Sequence, residues 1–231
     1  VGGSALAAVV TSNGATGSYN SMHDSYRPIG VLVPLVNMLL GEVIFGGLGT
    51  GLYSMVMIAL VAVFLGGLMV GRTPEYLGKK ITAAEMRLAV LYALLTPAVV
   101  LVLAAVALAT KAGQAGLTTN TGMRGFTEVL YCFASSMANN GQTMASLNAN
   151  TPFYNLTTAI AMIAGRFALA VLALALAGRL AAQRRWPINK GTLRSDSTTF
   201  GTLVLGTVVL IGALSFLPVL ALGPIAEALS R

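Results

Sequence analysis

Long apolar runs dominate this sequence and restrict it to a fold that lies within a lipid bilayer. They cover roughly 29–45, 52–70, 88–109, 156–177 and 200–222. Several reach the ~20 residues that a helix needs to cross the hydrocarbon core. Only 9% of the residues are charged, against about a quarter in soluble domains. The short alternating segments of a transmembrane barrel are not seen, so the sequence predicts an all-α polytopic membrane protein.

The net charge of +7 comes largely from two basic clusters at the ends of apolar runs. They consist of Arg72, Lys79, Lys80 and Arg87, and of Arg179, Arg184, Arg185, Lys190 and Arg194. Lys and Arg accumulate in the cytoplasmic loops of membrane proteins. This placement explains the positive charge without a nucleic acid, which we do not expect as a partner.

With both clusters in the cytoplasm, residues 111–151 lie on the outer side, yet they are too apolar for an ordinary loop. Residues 125–137 are typical of a short helix, and the polar, glycine-containing run 138–143 follows them. Irregular backbone at membrane depth is tolerated only where it packs in protein or lines a water-filled path. The segment therefore predicts a re-entrant helix and loop beside a wet path.

The chain repeats itself at an offset of 124 residues. The offset places Thr11-Ser12 on Ser135-Ser136, Gly17 on Gly141, Pro28 on Pro152 and Gly41 on Gly165. We interpret this as two copies of a helix, pore loop, helix unit, the first without its leading helix. The expected order is a pore loop and broken helix (1–71), a cytoplasmic loop (72–86), a complete unit (87–180), a second cytoplasmic loop (181–199) and a terminal transmembrane helix (200–231).

Gly17 and Gly141 are the candidate centres of an ion selectivity filter. Such filters turn backbone carbonyls toward a cation in place of its hydration shell, and glycine adopts the backbone conformations that this requires. The polar neighbours are Thr16, Ser18, Asn139, Asn140 and Gln142. Tight turns between helices are the simpler alternative, and Gly14 competes with Gly17 for the first position.

Four motifs give the chain a resemblance to a known family. They are MHDS at 22–25, GEVIFGG at 41–47, GRTPEYLGKK at 71–80 and ANNG at 138–141. In this order they resemble the potassium-binding subunit family of the Kdp potassium-transporting ATPase, over nearly all 231 residues. That family belongs to a potassium-channel-like transporter superfamily with four helix-pore loop-helix repeats around one pore. The resemblance implies that this chain is the C-terminal part, with repeats three and four and a terminal helix.

The resemblance also implies a function. The chain would bind and translocate the potassium ion at a carbonyl filter formed by residues 16–18 and 139–142, in the bacterial inner membrane. It would have no catalytic site, because ATP hydrolysis would occur on a partner P-type ATPase subunit, accompanied by small accessory subunits. The alternative is a secondary or channel-like potassium transporter of the same superfamily, against which GRTPEYLGKK argues.

The stretch from Ile29 to Val70 must break inside the membrane. As one helix it would be roughly 63 Å long at about 1.5 Å per residue, about twice the thickness of the hydrocarbon core. Midway lie Gly46, Gly47, Gly49 and Gly51. The resemblance implies that these glycines form an intramembrane gate beneath the filter. A plain kink or a close helix crossing is the alternative.

Glu42 and Arg166 are ionisable residues within apolar runs, and they occupy equivalent positions in the two copies. Ionisable residues at membrane depth are costly and usually functional. We expect both beneath the filter, where opposite charges reduce each other's desolvation cost. The resemblance places the arginine, in its GRF motif, near the pore path. A helix-packing ion pair without a transport role is the alternative.

Other classes of protein fit less well. An intramembrane enzyme would need a nucleophile and base or a metal set, and the sequence has one histidine and one cysteine, far apart. We expect structural hydrogen bonds for His23 and Asp24, and burial for Cys132. The run 71–80 is no phosphate-binding loop, since six residues separate its glycines and Lys80 stands where Ser or Thr is required. A membrane scaffold would not need two polar re-entrant loops.

Overall fold

The computed structural model describes residues 1–42, 46–47, 50–69, 71, 74–185 and 197–230. The helices are α1 (Gly2–Asn13), α2 (Pro28–Leu39), α3 (Thr50–Met69), α4 (Ala83–Ala109), α5 (Lys111–Gln114), α6 (Gly122–Ala138), α7 (Pro152–Ile163), α8 (Leu169–Ala182), α9 (Thr198–Leu220) and α10 (Ala226–Leu229). A 3-10 turn covers His23–Ser25, and π-helical segments join α7 to α8 (Ala164–Ala168) and α9 to α10 (Ala221–Ile225).

Within these described ranges, four helical runs are long and apolar enough to cross a bilayer. They are Gly51–Met69, Ala83–Ala109, Pro152–Ala182 and Thr198–Leu229. The predicted all-α polytopic membrane fold is thereby confirmed. Helices α1 and α6 are shorter, with 12 and 17 residues, and each is followed by an irregular loop.

Local sequence signals explain where the principal helices begin. Pro28 and Pro152 open α2 and α7 at the first helical turn, where the missing N–H would have had no helical partner. Helix α4 begins at Ala83, ahead of its apolar run, because Thr82 and Glu85 form a capping box. The Thr82 amide donates to Glu85 Oε2 at 3.0 Å.

The break predicted between residues 29 and 70 is present, and it begins before the glycine-rich stretch. Helix α2 ends at Leu39, and the next turn contains Gly41 and Glu42, both with a left-handed backbone (φ +79° and +52°). Gly46, further along, also has a positive φ of +71°. Of the residues singled out in the sequence, Gly49, Arg72, Lys190 and Arg194 lie outside the described ranges.

Helix α6 lies at the centre of the fold. It packs against α2, α4 and α7, and 11 of its 17 residues are buried. Cys132 is among them, as expected, and the ring of Phe133 stacks on that of Tyr154 at 6.0 Å. This packing fixes the position of the loop that follows α6.

Residues 75–80 form a β-hairpin. Strand β1 (Glu75–Tyr76) pairs antiparallel with β2 (Lys79–Lys80) through a turn in which Leu77 and Gly78 both have positive φ, the geometry of a type I′ turn. Lys79 Nζ donates to the carbonyl of Gln183. The hairpin therefore joins the two segments predicted to be cytoplasmic.

Candidate functional site

The two predicted filter loops meet through their backbones at Gly17 and Gly141. A Cβ on Gly17 would lie 2.6 Å from the carbonyl oxygen of Asn140 and 3.4 Å from Gly141 Cα, so a side chain has no room there. Both glycines have positive φ, +67° and +101°, which side-chain-bearing residues adopt poorly. The structure places Gly17 beside Gly141, whereas Gly14 ends α1.

The 124-residue offset holds in three dimensions. Ala15 and Asn139, at equivalent positions before the loops, both have a left-handed backbone (φ +48° and +54°). This conformation costs about 1–2 kcal/mol per residue without glycine. Tyr19 OH donates to the carbonyl of Thr143, its equivalent residue, at 3.4 Å. The two loops therefore share this backbone feature and contact each other.

The carboxyl ends of two helices lie directly before these loops. Helix α1 ends at Asn13 and α6 at Ala138. The carboxyl end of a helix carries a partial negative charge, roughly half an elementary charge. Each loop therefore begins in a field that favours a cation.

Gln142 braces the second loop from behind. Its buried side chain donates from Nε2 to Thr11 Oγ1 at 2.6 Å and to the carbonyl of Ser18 at 3.5 Å. Its Oε1 accepts from Tyr131 OH at 3.1 Å. The side chain is thus occupied within the protein, and only the backbone of Gln142 is available to a cation.

Asn140 and Asn139 are likewise held by the protein. Asn140 Nδ2 donates to the carbonyl of Ser12 at 3.0 Å and to Glu42 Oε1 at 2.7 Å. Asn139 Nδ2 donates to the carbonyl of Met162 in α7 at 3.2 Å. In contrast, Thr16, Ser18 and Gly141 are exposed. The predicted site residues therefore divide into a braced inner set and an exposed outer set.

Glu42 lies beneath the loops and is only 2% exposed. Its hydrogen-bond partner is Asn140, whose Nδ2 donates to Glu42 Oε1. Arg166 is close enough to interact electrostatically with Glu42, yet no ion pair within 4.0 Å joins them in the described structure. The amide of Asn140 is thus the hydrogen-bond partner of Glu42, and Arg166 acts on it only through its charge.

Two glycines of the predicted gate pack directly on each other. A Cβ on Gly51 would lie only 2.2 Å from Gly46 Cα and 3.1 Å from the carbonyl oxygen of Glu42. Gly47 is buried nearby. A cavity of about 90 Å³ adjoins this region, lined among others by Glu42, Ser54, Tyr92, Met137 and Gly165. The end of α2, the turn at Glu42 and the end of α6 therefore border one cavity.

His23 and Asp24 make structural hydrogen bonds next to the loops. His23 Nδ1 lies 3.0 Å from Tyr131 OH, and Asp24 accepts from Ser146 Oγ at 2.6 Å and from Asn120 Nδ2 at 3.0 Å. Burial lowers the pKa of His23, an effect that the neighbouring Asp24 charge opposes. Acid-base chemistry is not needed to explain either residue.

Sequence reasoning missed three residues of this site: Tyr131, Asn120 and Arg124. Arg124 was visible as a rare charge in an apolar segment, but its target was not. Its Nη2 donates to the carbonyls of His23, Asp24 and Tyr26, at 3.3, 2.8 and 3.0 Å. Those carbonyls are about 100 residues away in the chain, so no local pattern indicates them.

Comparison with known proteins identifies the family. Residues 1–229 match the family model described as "Potassium-transporting ATPase A subunit" (KdpA). The chain is 52% identical over 227 residues to the potassium-transporting ATPase potassium-binding subunit of Dechloromonas aromatica, covering 98% of this chain and 38% of the relative. The subunits of the same name from Chromobacterium violaceum and Edwardsiella ictaluri are 52% and 50% identical, with 96% and 99% of this chain covered.

Coverage of the relatives themselves is lower. The chain spans about two fifths of their length, 37% for the C. violaceum protein and 40% for the E. ictaluri protein. The match nevertheless runs through both copies of the repeat and the terminal helix. The chain belongs to the potassium-transporting ATPase A subunit family.

Proposed function

We propose that this chain supplies two filter segments of a subunit that binds potassium and translocates it across the bacterial inner membrane. The observation that carries the proposal is the backbone contact between Gly17 and Gly141, both with positive φ and at equivalent repeat positions. Potassium is the cargo. Backbone carbonyls of residues 16–18 and 139–142 replace part of its hydration shell.

The braced side chains give the filter its shape. Gln142 and Asn140 hold the second loop against α1, so the loop resists collapse when an ion enters or leaves. Thr16, Ser18 and Gly141 are exposed, and this exposed side is where further filter segments complete the ring. The ends of α1 and α6 add a negative field without a fixed full charge, so potassium binds and is also released.

The broken helix is proposed as the gate. Glu42 joins it to the filter loop through Asn140, and the packed pair Gly46 and Gly51 lets the chain turn sharply beside the cavity. Energy for uptake comes from ATP hydrolysis on a partner P-type ATPase subunit, with small accessory subunits in the same complex. The relatives' name, potassium-binding subunit of a potassium-transporting ATPase, supports this division of labour.

Filter substitutions test the proposal in the full-length subunit within its complex. Gly17→Ser and Gly141→Ser would each place a side chain against backbone at the loop contact. We expect the half-saturating potassium concentration for ATP hydrolysis to rise about tenfold or more, which is ~1.4 kcal/mol. Rubidium should also be discriminated less well.

Gly71→Ala is the matched control. Gly71 has the same φ of +67° as Gly17, but a Cβ there would meet nothing within 4 Å. It therefore carries the backbone strain without the filter contact, and its potassium dependence should stay unchanged. If both filter variants assemble and keep the parent's potassium affinity and selectivity, the filter assignment is wrong.

A further inference from the structure

The end of the chain is folded back against the second pore helix. Gly223 interrupts the helical backbone after α9 (φ −100°, ψ −106°). A Cβ on Gly223 would lie 2.9 Å from Thr127 Oγ1 and 3.1 Å from Phe126 Cδ1, both in α6. This close approach brings α10, with Glu227, to the beginning of α6.

Glu227 meets Arg124 there in a buried ion pair. Arg124 Nη1 and Glu227 Oε2 are 3.6 Å apart, and the two side chains are only 11% and 7% exposed. Removing one partner of a buried pair deprives the other charge of that compensation, which is costly. The pair therefore constrains where the guanidinium lies.

Arg124 is poorly placed for the stability of its own helix. It lies in the first turn of α6, where the helix dipole disfavours a positive charge. Its Nη2 instead donates hydrogen bonds to the carbonyls of His23, Asp24 and Tyr26. Its unfavourable position at the amino end of α6 is therefore explained by its contacts with the 3-10 turn at His23–Ser25.

That turn is connected to the segment 142–146 by two routes, one through Tyr131 of α6 and one direct. His23 Nδ1 shares a hydrogen bond with Tyr131 OH, which in turn donates to Gln142 Oε1. Asp24 accepts from the amide of Ser146 at 3.3 Å and from its hydroxyl at 2.6 Å. Moving the turn therefore moves both the brace behind the loop and the loop's outer end.

We propose that Arg124 and Glu227 are positioning residues for potassium selection, and that the C-terminal helix α10 is thereby part of the filter's support. Glu227 orients Arg124, Arg124 fixes the turn at 23–26, and the turn holds residues 142–146. Neither residue touches the ion. The inference rests on the proposed function, since it specifies how that filter is held.

Glu227→Gln in the full-length subunit tests the proposal, because it keeps the shape of the side chain and removes its charge. We expect the half-saturating potassium concentration for ATP hydrolysis to rise about three- to tenfold, the range in which non-contacting residues influence a distant site. Discrimination against rubidium should weaken, with the maximal rate changed less. Arg124→Lys keeps the charge but loses the planar fork that reaches several carbonyls, so the same shift is expected.

Glu85→Gln is the matched control, since Glu85 forms the other described ion pair, with Arg179 Nε at 2.9 Å. This pair lies beside the basic segments, away from the filter, so the variant should lose stability and keep its potassium affinity and selectivity. The double variant Arg124→Gln/Glu227→Gln removes both charges of the pair. We expect its defect to be smaller than the sum of the single defects.

Unchanged potassium affinity and selectivity in an assembled Glu227→Gln complex would overturn the inference. If that variant does not assemble, Arg124→Lys decides by the same criterion. The filter variants Gly17→Ser and Gly141→Ser, measured in parallel, separate the two hypotheses. If potassium affinity and selectivity change in the filter variants but not in Glu227→Gln, only the support role is refuted. If they change in none of Gly17→Ser, Gly141→Ser, Glu227→Gln and Arg124→Lys, the filter assignment itself is refuted.

Discussion

Asn140 joins the second proposed filter loop to the broken helix by a hydrogen bond. One amide nitrogen donates to Glu42 at the break and to the carbonyl of Ser12 at the end of α1. The amide oxygen accepts from the backbone of Gln142 at 3.2 Å. A change in the position of Glu42 therefore acts directly on the loop after α6, without Arg166 as an intermediate.

Asn140→Asp should damage this link more than loss of the arginine would. It places two carboxylates about 2.7 Å apart, and carboxylates that share one site do not both ionise readily. We expect the half-saturating potassium concentration to rise about tenfold or more, equivalent to ~1.4 kcal/mol. Glu42→Gln in the same background restores a donor and an acceptor and should recover part of the loss.

Two double-mutant cycles on potassium-stimulated ATP hydrolysis check this ordering. One pairs Glu42→Gln with Asn140→Asp, and the other pairs Glu42→Gln with Arg166→Gln. The coupling energy should be larger in the first cycle, because only that pair is in hydrogen-bond contact. A larger coupling between Glu42 and Arg166 would contradict the geometry described above.

At the scale of elements, the two repeats diverge at one equivalent glycine. In the first copy Gly41 has a positive φ and nothing within 4 Å of its missing side chain, and the helix ends there. In the second copy the helix continues through the π-helical segment Ala164–Ala168. There a Cβ on Gly165 would lie 1.8 Å from the carbonyl oxygen of Met137. One glycine permits a turn, and its counterpart permits close helix packing.

Gly165→Ala should therefore be strongly destabilising. The added methyl group meets the backbone of α6, which cannot move aside as a side chain would, so we expect the upper end of overpacking costs, about 3 kcal/mol or more. Gly178→Ala is the control in the same helical run, since its Cβ would meet nothing within 4 Å. It should be neutral or stabilising by up to about 1 kcal/mol.

Thermal unfolding of the full-length subunit in detergent measures both variants. The midpoint of Gly165→Ala should fall well below that of the parent, while Gly178→Ala unfolds at the same temperature or higher. Equal midpoints for the two variants would mean that the π-helical segment at Gly165 does not approach α6 as closely as described.

At the scale of the whole molecule, polar contacts mark two opposite ends. The basic segments are joined at one end by the contacts of Lys79 with Gln183 and of Glu85 with Arg179. At the other end, Arg124 of α6 contacts both the 3-10 turn, at His23 and Asp24, and α10, at Glu227. From the positive-inside rule we expect the first group in the cytoplasm.

Single-cysteine labelling tests this orientation. Ala83 and Thr119 are both exposed and lie near opposite ends; Ala83 is preferred to Thr82, whose hydroxyl caps α4. In a Cys132→Ala background, an impermeant maleimide should label Ala83→Cys only in inside-out vesicles and Thr119→Cys only in intact cells with permeabilised outer membranes. Reversed labelling would refute the orientation. Buried Cys132 should itself resist labelling in the parent.

The sequence alone determined the all-α membrane fold and its four long apolar helices, and it predicted the repeat and the two pore loops. These features are local or periodic: hydropathy defines a span over ~20 residues, and a fixed offset aligns the two copies whatever their contacts. Gly17 and Gly141 could be selected for the same reason. A glycine at equivalent places in two polar loops is visible without knowing what the loops touch.

Only the tertiary structure decided which partners hold these loops. The offset paired Glu42 with Arg166 by charge, but no pattern indicated Asn140, 98 residues along the chain, which packing brings to hydrogen-bond distance of Glu42. Arg124 collects carbonyls from a turn about 100 residues away, and it meets Glu227 from the last helix. Buried polar groups need partners, but which groups meet depends on how α1, α2, α6 and α10 pack, and sequence spacing does not determine that packing.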